Sequence, residues 1–379
     1  MITIETAPYR VVAPGRVNLL GEHVDYNDGA VLPAAIDRSV RLAAEPLPGR
    51  LVTLHALDLD QQVTFDLDQL ERRQDVHGTP LPSWARYPAG VAWVLEQHGI
   101  RLQGMEASFT SNVPMGAGLS SSAAVEVGFA VLWQALGGWE LDRLTLARLC
   151  QEAENHYVGV NCGLMDQFAC ANGVAGHALH FDTRTLLWRP VPLPAGAAII
   201  IADSKMRRSL ATSAYNERRA ACEEAVRLLQ AKLPNIRALR DVSPEEFAHV
   251  SHQLPATVRK RAQHVVDECA RVDEAAQCLE NGDAARFGQL MFAGHASLRD
   301  LYEVSIPELD ALVEIAGSLP GCLGARLSGA GFGGCTVNLV EEAYADQFIA
   351  GLIEGYAQRC NKQAEVYLCH ASNGAWVES

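Results

Sequence analysis

Residues Ser111 to Val125 read S-N-V-P-M-G-A-G-L-S-S-S-A-A-V, an apolar segment that turns through glycine into three serines opening an amphipathic helix. The free N–H groups at a helix start and the positive end of its dipole favour phosphate. Gly116 and Gly118 carry no side chain, so the backbone there can approach a bulky ligand. Leu119 leads into Ser120, Ser121 and Ser122, whose hydroxyls add donors or an oxygen ligand for a hard cation. No lysine follows the glycines, which excludes the G-x-x-x-x-G-K-[ST] phosphate loop. Taken alone, the pattern fits a serine-capped helix after a glycine turn as well as it fits an anion seat.

Two further segments bear on that choice. Near the start the chain reads Ala13-Pro-Gly-Arg-Val-Asn-Leu-Leu-Gly-Glu-His-Val-Asp-Tyr-Asn27, and near the end Leu327-Ser-Gly-Ala-Gly-Phe-Gly-Gly-Cys335. With these three motifs, in this order, the sequence resembles the galactokinase branch of the GHMP small-molecule kinases. Similarity continues through Cys162-Gly-Leu-Met-Asp-Gln-Phe168, Ser213-Ala-Tyr-Asn-Glu-Arg-Arg219 and Ser297-Leu-Arg-Asp-Leu-Tyr-Glu-Val304, so it covers essentially the whole chain. The resemblance implies a two-domain α/β (α+β) GHMP kinase fold. Residues 1–194 would form a ribosomal-protein-S5-domain-2-like domain, and 195–379 a ferredoxin-like domain carrying extra helices, with the active site between them.

It also implies an activity: ATP-dependent phosphorylation of the C1 hydroxyl of α-D-galactose, with Mg²⁺. By similarity Asp166 is the catalytic aspartate facing that hydroxyl and Arg16 stands beside it. Glu22, His23 and Asp25 bind the sugar, joined by Asp166 itself, Gly163 through its backbone, and Tyr215. Gly116, Gly118, Leu119 and Ser120 to Ser122 hold the nucleotide, while Ser122 and Glu154 ligate Mg²⁺. Relatives of the branch act on N-acetylgalactosamine or L-arabinose, and non-catalytic sugar sensors share its fold. Such sensors carry a damaged serine loop, whereas Gly118-Leu-Ser-Ser-Ser-Ala123 is intact here. Many galactokinases have glycine where this chain has Ala330, a departure that matters if the position needs positive φ.

Spacing alone reads several of these residues more blandly. Glu154 fits a solvated charge on an amphipathic helix, Asp166 a helix cap and Arg16 a surface cation. Asn27-Asp28-Gly29 is a turn signal, but a turn explains Glu22 and His23 poorly.

Composition sets limits. With 379 residues, 49% hydrophobic and 20% charged, the chain is long enough for two globular domains. A net charge of -14 argues against nucleic acid as a partner. No apolar run approaches the roughly 18 residues of a membrane span, and the opening M-I-T-I-E-T lacks signal-peptide character, so a cytoplasmic location is expected. A monomer is a separate expectation, which these features do not decide. The ten cysteines form no C-x-x-C pair, which favours buried thiols over disulfides or zinc. His177 and His180 lack a third ligand nearby and read as strand or loop surface.

The elements that must position these groups follow from periodicity. Strands are expected around 10–13, 30–44, 51–57 and 62–67, then helices over 84–98, 120–136 and 141–157. Strands return at 176–181, 186–191 and the uninterrupted Ala197-Ala-Ile-Ile-Ile-Ala202. Helices capped by Thr212 or Ser213 run on to about Gly317. A strand, the glycine loop, the strand 335–340, a helix and a strand at 364–369 close the chain.

Overall fold

The described residues of the computed structural model are Ile4, 7–114, 116–207 and 211–378, the side chains of 211–213 excepted. The chain opens with β1 (Tyr9–Asn18), β2 (Ala30–Val31), β3 (Pro33–Leu47), β4 (Leu51–Ala56) and β5 (Gln61–Asp66). Next come α1 (Arg86–Gln97), β6 (Gly104–Ser111), α2 (Ser121–Gly137), α3 (Arg143–Glu152) and α4 (Met165–Asn172). β7 (His177–Asp182), β8 (Trp188–Pro192) and β9 (Ala197–Asp203) lead into α5 (Ala211–Leu229), α6 (Pro244–Val250), α7 (Ala256–Glu280), α8 (Ala284–Ser297) and α9 (Pro307–Ser318). The chain closes through β10 (Cys322–Ser328), β11 (Cys335–Glu341), α10 (Ala345–Cys360), β12 (Glu365–Cys369) and β13 (Trp376–Glu378).

The first sheet runs β13-β1-β3-β6-β4-β5, antiparallel except for the β4–β6 pair. Helix α2 packs across β1 and β3, closely enough that a methyl added at Gly128 would meet Leu42 Cδ1 at 2.7 Å. Gly138 ends that helix in the left-handed conformation, φ +66°, its N–H returning to Gln134 O.

The second sheet runs β10-β11-β9-β12, all antiparallel. Helices α5 to α9 separate β9 from β10 and α10 separates β11 from β12, so the order is that of a ferredoxin-like βαββαβ unit with helices inserted. Strand β9 shows why its sequence is apolar without a break. Ile199 and Ile201 enter one buried cluster with Leu32 and Met291, while Ile200 faces the other way onto Phe348 and Leu352. A small third sheet, β2-β7-β8, lies beside the others.

Differences from the sequence expectation have local causes. The helix expected over 141–157 is α3 followed by a wider turn over 153–158, with Gly159 N–H bonded five residues back to Glu154 O. Helix α5 already includes Thr212 and Ser213, so neither is its cap, and the preceding position lies outside the described residues. Strands β6 and β13 were not anticipated. The latter is three residues long, with Trp376 and Val377 exposed, and pairs with β1 at the edge of the first sheet. Among the described residues no helix is long and apolar enough to cross a membrane.

Helix α8 lies against β10 with no space between backbones: a methyl at Gly288 would fall 1.7 Å from Leu323 O. Gly288→Ala is therefore expected to destabilise the fold by at least about 1–3 kcal/mol, measured by urea unfolding. A loss below about 0.5 kcal/mol would mean that this packing is not tight.

Candidate active site

A cleft of about 740 Å³ collects residues from distant parts of the chain, including Arg16, Asp25, Ser122, Asp166, Tyr215 and Ala330. Arg16 sits where β1 breaks register between Pro14 and Arg16, a bulge that re-aims its side chain. Gly15 is required there, since a methyl would stand 2.8 Å from Leu119 O. The serine loop thus leans directly on β1, and Arg16 N–H donates to Leu119 O at 3.1 Å.

The Arg16 guanidinium then ties together two of the motifs. Nε and Nη2 donate to Asp166 Oδ1 at 2.9 and 2.7 Å, and Nη1 donates to Gly118 O at 2.5 Å. On the other side of the carboxylate, Ser120 Oγ donates to Asp166 Oδ2 at 2.5 Å. Ser120 is not a conventional helix cap. It sits at φ +56°, ψ +46° and makes no side-chain capping bond, so its hydroxyl serves Asp166 and not the helix. Left-handed backbone at a non-glycine residue costs roughly 1–2 kcal/mol, and His23 at φ +64° bears the same strain in the same cleft.

The acidic end of the cleft is tightly engaged. Glu22 is buried; its oxygens accept from Asn18 Nδ2 at 3.0 Å and from Gly329 N–H at 3.0 Å, and it forms an ion pair with Arg326. Burial pushes its carboxyl up to about 7 against the opposing pull of Arg326. Both His23 nitrogens have partners within reach, Tyr26 Oη at 2.8 Å and Ala330 O at 3.3 Å. The Tyr215 ring lies 5.6 Å from His23 and 5.3 Å from Tyr26, centroid to centroid. Gly163 is a glycine for steric reasons, because a methyl would overlap Asp25 Oδ2 at 1.9 Å. Ala330 is not among the positive-φ residues of the glycine loop, although its neighbours Gly329 and Gly331 are, so alanine fits.

On the serine side, Gly116 and Gly118 adopt φ +71° and +83°, and Ser121 and Ser122 line the cleft at the start of α2. Glu154 does not line it directly and is not the solvated charge that helical spacing suggested. It is buried, accepting from Gln167 Nε2 at 2.6 Å and from the Cys162 thiol at 3.2 Å. Burial, with the nearby negative charge of Asp166, pushes Glu154 up to about 7. The second domain reaches this side as well, Cys335 Sγ donating to Ala117 O at 2.8 Å.

Sequence reasoning missed Arg207. It follows β9, is held by Asp203 at 3.1 Å, and lines the cleft beside Gly116, where an added methyl would lie 3.8 Å from its Cδ. The basic run Lys205-Met-Arg-Arg208 directly after a buried strand was the available signal. The histidines of β7 are structural: His177 bonds Ala175 O and His180 bonds Asp273.

Residues 3–46 match the galactokinase galactose-binding signature, 86–174 the N-terminal domain of GHMP kinases and 275–358 their C-terminal domain. The chain is 49% identical to a galactokinase of Roseiflexus sp. (strain RS-1), over 97% of this chain and 92% of the other. It is 46% identical to one from Chloroflexus aurantiacus, over 97% and 93%. The crystal structure of Lactococcus lactis galactokinase complexed with galactose superimposes with a TM-score of 0.91 at 35% identity, covering 97% of this chain and 94% of that one. Methanococcus jannaschii mevalonate kinase, at 19% identity and TM-score 0.69 over 96% and 98%, shares the fold.

Asp25 gives the cleft a measurable signature. Burial, with Asp166 adding its charge, raises its carboxyl from 3.8 to about 6. An acid raised on folding is neutral in both states at low pH, and its penalty grows as the pH passes from about 4 to about 6. Wild type should therefore lose stability across that window. Asp25→Asn should flatten the loss and gain about 1–3 kcal/mol at pH 7 in denaturant titrations, while binding the cleft's ligand poorly. A variant less stable than wild type at pH 7 would contradict this.

Proposed function

The chain belongs to the galactokinase family of GHMP kinases, and from that premise we propose that this cleft transfers the terminal phosphoryl group of ATP to the C1 hydroxyl of α-D-galactose. One observation carries the reading: a single carboxylate, Asp166, is hydrogen-bonded both to Arg16 of the signature segment and to Ser120 of the serine loop. The group suited to meet the sugar hydroxyl therefore touches the group suited to meet the phosphates.

In this reading Glu22, His23, Asp25, Tyr215 and the Gly163 backbone hold the sugar. Each buried polar group that finds no hydroxyl partner costs about 1–3 kcal/mol, which makes a dense acidic pocket selective. The C1 hydroxyl displaces Ser120 from Asp166 Oδ2. It loses its proton to Asp166 as its oxygen bonds to the γ-phosphorus and ADP departs. Arg16 holds the carboxylate in place and offsets charge on the transferring group. The phosphates rest on the backbone of Gly116 to Ser120 and the start of α2, with the dipole of that helix in their favour.

The residues also suit a divalent cation. Ser122 and Glu154 are hard oxygen donors, and the repulsion between Glu154 and Asp166 is the kind that a cation offsets. Mg²⁺ bound there would neutralise phosphate oxygens during transfer. Arg207 supplies the positive side chain that the lysine-free loop lacks. A cytoplasmic setting belongs to the same reading, supported by ten cysteines that are all free thiols.

Asp166→Asn is expected to lower turnover by about two to four orders of magnitude in a coupled ADP-release assay, with galactose affinity within several-fold of wild type. Near-normal turnover in the folded variant would remove Asp166 from the chemistry. Arg207→Ala should raise the KM for ATP by about 5- to 50-fold and leave galactose affinity unchanged, as expected when a charged contact to phosphate is lost. An unaltered KM for ATP would separate Arg207 from the phosphates.

A further inference from the structure

A buried polar chain behind the serine loop takes no direct part in the transfer described above. Gln167 follows Asp166 on α4 and is fully buried. Its amide nitrogen donates to Glu154 Oε2 at 2.6 Å and to Glu126 Oε2 at 2.9 Å, so one nitrogen spends its two hydrogens on two carboxyl groups. Glu126 is itself fully buried on α2, four residues after Ser122 and therefore on the same helical face.

Two features set this chain apart from ordinary core polarity. Among the described residues, buried Glu126 Oε1 and Gln167 Oε1 find no hydrogen-bond partner, so the arrangement is not the best one for stability. Both donors to Glu154 converge on one oxygen: Gln167 Nε2 and the Cys162 thiol each reach Oε2, while Oε1 accepts no hydrogen bond from the described residues. The carboxylate is fixed through one oxygen, and the other is left available.

We propose that Gln167, anchored by Glu126, is a positioning residue that turns Glu154 so that Oε1 serves as the cation's ligand. The inference rests on the reading of Glu154 as a Mg²⁺ ligand. Groups that orient a metal ligand without touching the metal commonly govern affinity as strongly as the ligand's own environment does. Here Ser122 and Glu126 share one face of α2, and Asp166 and Gln167 are consecutive on α4. The same two helices thus present one residue each to the reacting groups and one each to the support behind them.

The test uses Mn²⁺ as the probe, its binding to the whole enzyme with saturating ADP followed by electron paramagnetic resonance of the free ion. Galactose affinity is measured separately by calorimetry. Gln167→Met keeps the shape and removes both donors; it should weaken Mn²⁺ binding about 10-fold or more and leave galactose affinity within about two-fold. Glu126→Leu should weaken Mn²⁺ binding at least about 5-fold, whereas Glu126→Gln, which keeps an acceptor for Gln167, should stay within about two-fold of wild type. Should Gln167→Met not fold, the contrast between the two Glu126 variants decides the question. Unchanged Mn²⁺ affinity in folded Gln167→Met, or equal losses in Glu126→Gln and Glu126→Leu, overturns the positioning role. Glu154→Ala separates the premise: if it loses Mn²⁺ while Gln167→Met does not, the ligand reading stands and the positioning fails, and if it retains Mn²⁺ the ligand reading fails.

Discussion

Arg326 reaches from β10 in the second sheet to the loop that follows β1, and it does so with no exposure to solvent. Its guanidinium meets Glu22 and Glu268 and donates to Leu19 O at 3.1 Å. Taking such ions out of water costs several kcal/mol each, so the cluster persists only because its members are matched against one another. The two acids share the arginine unequally. Burial raises Glu268, but Arg326 and Arg271 outweigh it and hold that carboxyl down at about 2. At Glu22 burial prevails over Arg326 and the Gly329 N–H, and the carboxyl rises to about 7. Glu268 is the fixed anion; it also accepts Gly21 N–H at 2.8 Å and so clamps the backbone just before Glu22 and His23.

The position of the signature loop follows from that clamp. His264, kept neutral by burial that lowers it to about 4, approaches Glu22 O at 3.2 Å and Ser297 Oγ at 2.8 Å. His23 then has little freedom: its backbone is held left-handed, its ring faces Tyr26, Tyr215 and Tyr302, and Tyr26 Oη is 2.7 Å from Tyr302 Oη. Strain of this kind survives only where surrounding contacts over-determine the geometry. A pocket rigid in the absence of ligand loses less entropy on binding, which is the benefit the strain provides.

Much of this was legible in the sequence where function depends on local backbone chemistry. The glycines before the serines take positive φ, the apolar run of β9 is buried on both faces, and Asp28 turns left-handed within the Asn27-Asp28-Gly29 turn. What stayed hidden depends on tertiary neighbours. Nothing in the spacing of Glu154 tells that its helical turn lies beneath the loop carrying Cys162. Ser120 looks like a helix cap because serine usually is one, and only the position of Asp166 diverts its hydroxyl. Strand β6 is different: Met105, Ala107 and Phe109, all buried, alternate with Glu106, Ser108 and Thr110, a period-two pattern that was present in the sequence and that sequence reasoning missed. Gly163 gives no turn signal at all; its reason is the Asp25 carboxylate resting where a methyl would be.

The distribution of carboxyl groups along the cleft has a single physical logic. Glu22, Asp25 and Glu154 are each raised well above the usual carboxylate range by burial, and Asp166 adds its charge against both Asp25 and Glu154. Asp166, whose charge acts on both, is the one gripped by Arg16. Burial with too little compensating positive charge makes ionisation of these groups costly to the cleft. Ligands that bring hydroxyl protons to one end and positive charge to the other lower its energy at both ends. Because Asp166 contributes to both repulsions, relief at one end changes the field felt at the other. On the proposed reading, sugar and metal–nucleotide sites built around this shared carboxylate would be coupled electrostatically, with no need for the backbone between them to move.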